Sequence, residues 1–226
     1  VDIRGKSSSV LVKNAKDAGI KIYWNHTVVD TKGYRRVKSI QIMEMSEDGT
    51  NVIGSKINLV CDNLSISGGW TPMVHLFTQS GGKLKFRESD QVFLPNNAMS
   101  DQISIGACNG DFELDDIIKN TISDCKNFLS TSTSVFDLLK VNCPKQKESK
   151  NIWLLPNDKP LGKTKPFLDF QNDSTAKDIK LAMREGFRSI EHVKRYTTTG
   201  MGTDQGKLAN MHALGIISET AGVKMG

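Results

Sequence analysis

An α/β fold followed by a small all-helical domain is the class that this sequence predicts. Three observations predict it. Segments of strand, helix and strand character follow one another over residues 1–30. Two alternating runs, 37–45 and 53–60, then flank the turn Glu47-Asp48-Gly49, as a hairpin requires. Beyond residue 167 the apolar spacing changes to the helical period. A strand–helix–strand unit with a β-meander is the pattern of the back part of a dinucleotide-binding domain.

The elements follow in order. Val1-Asp2-Ile3-Arg4 reads as the end of a buried strand. Residues 9–18 suit a helix with Val10, Val12, Ala15 and Ala18 apolar, and Gly19 is a natural C-cap. Ile20–Trp24 alternates as a strand that continues through Thr27–Asp30 and turns at Thr31-Lys32-Gly33. After the hairpin, Cys61–Ser67 reads as a second buried strand ending at Gly68-Gly69. Trp70–Leu94 is loop-rich, with Gly81-Gly82 and Pro95 as breakers. Ile103–Gly106 predicts a short strand, and 114–129 a helix with Leu114, Ile117, Ile118, Ile122 and Cys125 on one face.

Residues 141–166 hold Pro144, Pro156, Pro160 and Pro166 among many lysines and read as a linker. The pattern Thr175-x-x-Asp178 is a capping box, followed by Ile179, Ala182, Met183 and Gly186 on one helix face. Ser189 caps a second helix with Ile190 and Val193 inward, Gly200-Met201-Gly202 breaks it, and Leu208, Met211, His212 and Gly215 suit a third. The domains expected are 1–140, the back part of a dinucleotide-binding domain; 141–166, a Lys/Pro-rich linker; and 167–226, a small helical domain.

Composition narrows the function classes. Of 226 residues, 38% are apolar and 24% charged, a globular balance. The net charge of +5 is interleaved rather than striped, which argues against nucleic acid. No apolar run approaches the length of a membrane span, and Val1–Lys6 is neither a signal nor a transit peptide, so the expected location is cytoplasmic. Cys61, Cys108, Cys125 and Cys143 are scattered without metal-ligand spacing, and neither a disulfide framework nor a metal site is expected. Without an initiating Met, and with a Gly-rich end, the chain reads as a fragment of a longer protein.

Four places are candidates for binding. Gly68 and Gly69 at a strand end would let backbone approach a cofactor, or form a plain tight turn. Gly106, Asn109 and Gly110, between a predicted strand and a helix, suit a pyrophosphate or ribityl chain, or another turn. Asp2 is placed to accept from a ribose diol, or is simply solvated. The densest polar cluster, with Lys194, Arg195, Thr197, Thr198, Thr199, Gln205 and Lys207 among glycines, makes a candidate phosphate cradle. No catalytic triad, carboxylate pair or catalytic base stands out.

Three stretches together resemble the α subunit of heterotetrameric sarcosine oxidase. They are Ser67–Leu76 with Gln79–Leu84, Asp169–Asp173 leading to Thr175–Ile179, and Arg184-Glu185-Gly186 through Glu191–Met201 to Thr203–Lys207. The resemblance implies oxidative demethylation of sarcosine to glycine with O2 as acceptor. Hydrogen peroxide and formaldehyde, or methylene-tetrahydrofolate, are the co-products. It implies NAD on the α subunit, FAD on β, FMN at their interface, tetrahydrofolate on a C-terminal α domain, and β, γ and δ partners. The amine-oxidising groups are then expected on a partner subunit. The same resemblance makes the cationic Thr/Gly loop a candidate to face the FMN. The last block also resembles a small iron–sulfur domain of related amine and proline dehydrogenases. The four cluster-ligand positions there fall on Asp169, Gln171, Asp204 and Ala209. None offers a thiolate, so no iron–sulfur cluster is expected. Rival readings are a subunit of another amine, opine or proline dehydrogenase complex, and a non-catalytic assembly scaffold.

Overall fold

A computed structural model describes residues 1–99, 101–130 and 151–225. Cys143, Pro144, the end of the expected first domain and the start of the expected linker lie outside the described residues. The chain divides into two units, each discontinuous in sequence. One takes Val1–Lys6, Lys21–Leu64 and the described residues 151–225; the other takes Ser7–Ile20 and the described residues within 65–130.

The first unit holds an antiparallel meander of β1 (His26–Gly33), β2 (Val37–Met45) and β3 (Val52–Val60). Strand β2 has the bounds that alternation predicts, but not a single inward phase. Ile40 and Ile42 are buried, and so are Met43 and Met45. A register shift between Ile42 and Glu44 explains the change, because a bulge moves every later side chain to the other face. A second shift lies between Val28 and Asp30 in β1. The predicted turn at Thr31–Gly33 belongs to β1 instead, since those residues still pair with Val37–Ile40. The strands expected at Val1–Arg4 and Ile20–Trp24 reduce to one parallel bridge, Asp2 with Trp24.

Residues 151–163 do more than link. Asn157 Nδ2 donates to Val29 O (2.8 Å), on the β1 bulge, and Lys159 Nζ donates to the Asp30 carboxylate (2.7 Å). Lys56 of β3 meets Asp158 at 2.6 Å. The hydrogen bond from Lys159 is the chief reason the Asp30 carboxyl is lowered to about 2. Trp153, Leu154 and Leu161 pack against the core of the helical part.

That core is closed by α4 (Ala176–Arg184), α5 (Ile190–Thr197) and α6 (Asn210–Ala221), with a short ladder of β6 (Phe167–Asp169) and β7 (Ser174–Thr175). The capping box at Thr175 and Asp178 forms as its sequence predicts. Ile179, Ala182 and Met183 are buried, whereas Gly186 falls beyond the helix end with φ +99° and is exposed. Val193 is fully buried. Helix α6 turns Ala213, Ile216 and Ile217 inward, while Leu208 lies outside it and is exposed. Gly215 is required by packing, because a Cβ there would overlap the Trp153 indole.

The second unit contains α1 (Val10–Asp17), α2 (His75–Gln79), the hairpin β4 (Lys83–Arg87) with β5 (Val92–Asn97), a 3₁₀ turn at Gly106–Asn109, and α3 (Leu114–Phe128). Helix α1 starts at Ser9, whose hydroxyl accepts from Val12 N, and stops before Gly19 at φ +78°. Helix α3 forms as predicted, but Leu114 on its expected inward face is exposed. Two other expectations fail here. The strand expected at Cys61–Ser67 does not form and most of its residues are exposed, and Ile103–Gly106 gives way to the 3₁₀ turn. A strand takes its ladder bonds from neighbours, and apart from the single bond from Cys61 N to Lys38 O these segments join no ladder among the described residues.

Candidate functional site

The cationic loop after α5 is held by oxygen acceptors from two sides. Asp169, 3% exposed at the end of β6, accepts backbone N–H bonds from Gln171 (2.9 Å), Asn172 (2.9 Å) and Gly200 (2.7 Å). Asn172 Nδ2 adds a fourth bond at 3.1 Å. Burial pushes the Asp169 carboxyl up, but these N–H donors outweigh it and hold the group below its ordinary value. Gln171 Oε1 accepts from Thr203 N (2.6 Å) and Thr203 Oγ1 (3.0 Å). Asp204 accepts from Gly206 N (3.1 Å) and Leu208 N (3.4 Å). Ala209 is buried behind them.

The four positions where the resembling domain carries cysteines thus hold three side chains whose oxygens accept from loop amides and one packed methyl. The glycines serve this network. A Cβ at Gly200 or Gly206 would overlap the Asn210 side chain, and one at Gly202 would overlap the Gln171 amide. Gly200 and Gly206 also sit at φ +72° and +74°.

The threonines divide. Thr197 Oγ1 donates to Val193 O and meets Thr199 Oγ1, both at 2.8 Å, and Thr199 is buried. Thr198 is exposed in a left-handed conformation at φ +58°. Lys194 is half-buried; Arg195, Gln205 and Lys207 are exposed. None of the three cations makes an ion pair among the described residues. The side chains of Lys194, Arg195 and Lys207 therefore remain available to an anion. It does not fit the hydroxyls of Thr197, Thr198 and Thr199, since Thr197 Oγ1 bonds Val193 O and Thr199 Oγ1 and Thr198 Oγ1 donates to Thr197 O at 2.6 Å. Nor does it fit the amides of Gly200, Thr203 and Gly206, which Asp169, Gln171 and Asp204 occupy. A cavity of about 180 Å³ beside Lys194 and Thr199 is lined mainly by apolar groups of α4, α5 and α6.

The other candidate residues lie apart from this loop in the chain. Both oxygens of Asp2 accept from Arg4, by its backbone N (2.8 Å), Nε (3.0 Å) and Nη2 (2.9 Å). Burial raises the Asp2 carboxyl, and the Arg4 bonds more than reverse that. In the second unit, Gly68 and Gly69 are exposed and a Cβ on either would meet nothing. Gly106 and Gly110 take φ +67° and +84°, and Gly110 lets the Arg87 guanidinium reach its carbonyl at 2.9 Å. Asn109 belongs to the same turn.

Sequence reasoning singled out the cations and hydroxyls and treated Asp169, Gln171 and Asp204 only as absent cysteines. Their acceptor role carried a signal, since Asp and Asn before glycine or at a turn bond local amides. No group of three or more His, Cys, Asp or Glu is placed to hold a metal among the described residues. No helix among them is long and apolar enough to cross a membrane.

Comparison with known proteins follows the same stretches. Residues 163–226 match the family model described as the sarcosine oxidase A3 domain. The chain is 29% identical to the sarcosine oxidase subunit alpha of Corynebacterium sp. strain P-1, over 96% of this chain and 23% of that protein. It is 30% identical to that of Rhizobium meliloti strain 1021, over 99% of this chain and 20% of the relative. The chain therefore spans between a fifth and a quarter of the length of these relatives. Among solved structures, L-proline dehydrogenase from P. horikoshii matches with a TM-score of 0.62 at 17% identity, over 99% of this chain and 45% of that one. The likeness to sarcosine oxidase α subunits thus holds over nearly the whole chain. The dehydrogenase shares its mixed helix-and-strand fold.

Proposed function

We propose that this chain is part of the α subunit of a flavoprotein complex that oxidises sarcosine to glycine. The observation that carries the reading is the match of residues 163–226 to the sarcosine oxidase A3 domain, together with identity that runs through the rest of the chain. In this reading O2 is the final acceptor, hydrogen peroxide and formaldehyde or methylene-tetrahydrofolate are the co-products, and β, γ and δ subunits complete the assembly. NAD belongs to the α subunit, FAD to β, FMN to the interface and tetrahydrofolate to a C-terminal domain of the longer α chain. The flavins supply the hydride acceptor when bound.

This chain contributes binding and orientation. Residues 1–140 act as the back part of the nucleotide domain, 141–166 as the linker and 167–226 as the helical domain that faces the FMN. Lys194, Arg195 and Lys207 offer unpaired cations to the flavin phosphate, with the exposed residues Thr198 and Gln205 near them in the chain. Asp169, Gln171 and Asp204 hold that loop in shape with N–H bonds and take the place of cluster thiolates, so the helical domain works without iron.

Anaerobic addition of sarcosine to the intact complex, with dimethylglycine and proline as comparators, tests the reading. Rapid flavin bleaching by sarcosine alone is expected. Bleaching by proline alone moves the substrate to that of another amine dehydrogenase, and no bleaching of bound flavin removes the activity. Lys194→Ala with Thr198→Ala is expected to lower FMN content or interflavin electron transfer; unchanged values of both remove the loop from the flavin site. Iron analysis of the purified complex is expected to find none in stoichiometric amount.

A further inference from the structure

The β1–β2 hairpin ends in a three-residue tip, Tyr34-Arg35-Arg36, between the paired residues Gly33 and Val37. Gly33 takes φ +152°, and a Cβ on it would overlap Arg36 O, so the tip closes only over glycine. Behind the tip, Asn157 anchors Val29 and Lys159 anchors Asp30. The tip is thus a built projection on a fixed base. Tyr34 is 93% exposed, and Arg35 and Arg36 are exposed beside it in the chain. None of these three side chains makes a hydrogen bond or ion pair among the described residues.

Charge and residue type say what the tip fits. Residues 31–38 hold Lys32, Arg35, Arg36 and Lys38 and no acid. The acid just before them, Asp30, is already shared by Lys32 (3.1 Å) and Lys159 (2.7 Å). Arg35, Arg36 and Lys38 therefore lack a counter-charge among the described residues. The chain has 23 lysines and 7 arginines, yet both cations of the tip are Arg. Tyr and Arg are the types that protein interfaces enrich, and Lys is one that they deplete. A guanidinium grips a carboxylate by two parallel bonds, and an aromatic ring laid beside such a pair keeps water from it.

We propose that the tip of the β1–β2 hairpin is a docking surface for an acidic patch on another subunit of the complex. The patch would present carboxylates to Arg35 and Arg36 around a shallow apolar depression for the Tyr34 ring. The inference rests on the reading of this chain as one subunit of an assembly, and it adds which surface meets a partner and by what chemistry. A polyanion fits less well. Strongly salt-dependent nucleic-acid binders contact roughly six to ten phosphates, more than three free cations reach.

The test is subunit dissociation of the intact complex, followed by mass photometry across a salt series. Arg35→Glu with Arg36→Glu is expected to weaken association by at least about tenfold, and Tyr34→Ala by about tenfold. Lys177→Glu with Lys180→Glu, the same charge change at two exposed positions, should leave association unchanged. The Tm of each variant should match the parent, since these side chains hold nothing in the fold. Association that survives the tip variants overturns the surface and spares the subunit reading. Equal weakening by the Lys177 and Lys180 variant reduces the effect to net charge and also overturns it. Unchanged association with lost retention on heparin gives the tip to a polyanion instead. A parent chain that purifies without any partner removes the subunit reading and the surface together.

Discussion

Two glycine-rich stretches of this chain look alike in sequence and differ in structure. Residues 198–208 and residues 66–72 both carry glycines, hydroxyls and exposed apolar side chains, and both lie in regions that resemble the same family. In the first, every glycine is fixed by a neighbour. Asp169, Gln171 and Asp204 take the loop amides, and Asn210 fills the space beside Gly200 and Gly206. In the second, Gly68 and Gly69 have open space around them, and Ile66 and Trp70 are 80% and 79% exposed. Glycine content alone therefore says little. What distinguishes a built loop is a set of buried acceptors whose hydrogen bonds leave room only for hydrogen at Cα.

Removing the acceptors should break the contrast most strongly. Asp169→Ala leaves the N–H groups of Gln171, Asn172 and Gly200 without their acceptor, and about 3–4 kcal/mol of stability should be lost at roughly 1–3 kcal/mol per stranded group after partial rehydration. Urea unfolding of the variant measures it; a loss below about 1 kcal/mol would make the two stretches equivalent. Next, Gly200→Ala should cost about 2 kcal/mol, from left-handed strain and overlap with Asn210, whereas Gly68→Ala should change stability by less than about 0.5 kcal/mol. Paired melting curves of the two variants test the contrast directly.

Thr175→Ala removes a capping box at the entry of α4 and should lower stability by about 1 kcal/mol, read as a fall in Tm. The smallest effect concerns acid. Asp30 titrates at about 2 in the fold against 3.8 ordinarily, so it binds fewer protons folded than unfolded near pH 3. Its contribution is fully present above about pH 4 and is lost as pH falls through about 2. Lys159→Met should remove the largest share of that acid-sensitive part, visible as a flatter stability profile between pH 4 and 2, while Lys32 and the Thr31 N–H keep the rest. Asp169 is also held below its ordinary value, so its contribution disappears in the same direction, below the normal carboxylate range.

Much of the helical part was legible in advance. The capping box at Thr175, the inward Ile179, Ala182, Met183 and Val193, and the break at Gly200–Gly202 are all local patterns, and the structure realises them. The hairpin of 37–60 was legible for the same reason, since alternation and its turn lie within one window. The hairpin of Lys83–Arg87 and Val92–Asn97 was not. Pro95 and the twin glycines read as breakers, although Pro95 sits in a two-stranded ladder, where an edge tolerates it. Within the candidate site, the cations and hydroxyls were visible by type. That all three threonine hydroxyls bond within the loop was not, because hydroxyl direction depends on the left-handed turn at Thr198.

The sequence by itself determined the periods, caps and stops: Ser9 and Gly19 around α1, the alternation of β2, Thr175 and Asp178 before α4, and the absence of thiolates at Asp169, Gln171, Asp204 and Ala209. Each of these is settled by residues within a few positions of one another. Only the tertiary structure decided that Asn157, Asp158 and Lys159 clasp the meander, that Trp153 occupies the place left by Gly215, and that Asp169 reaches Gly200 across 31 positions. A buried carboxylate or an indole finds its partner by completing its hydrogen bonds and filling space, and those demands act between neighbours in the fold whatever their separation in the chain.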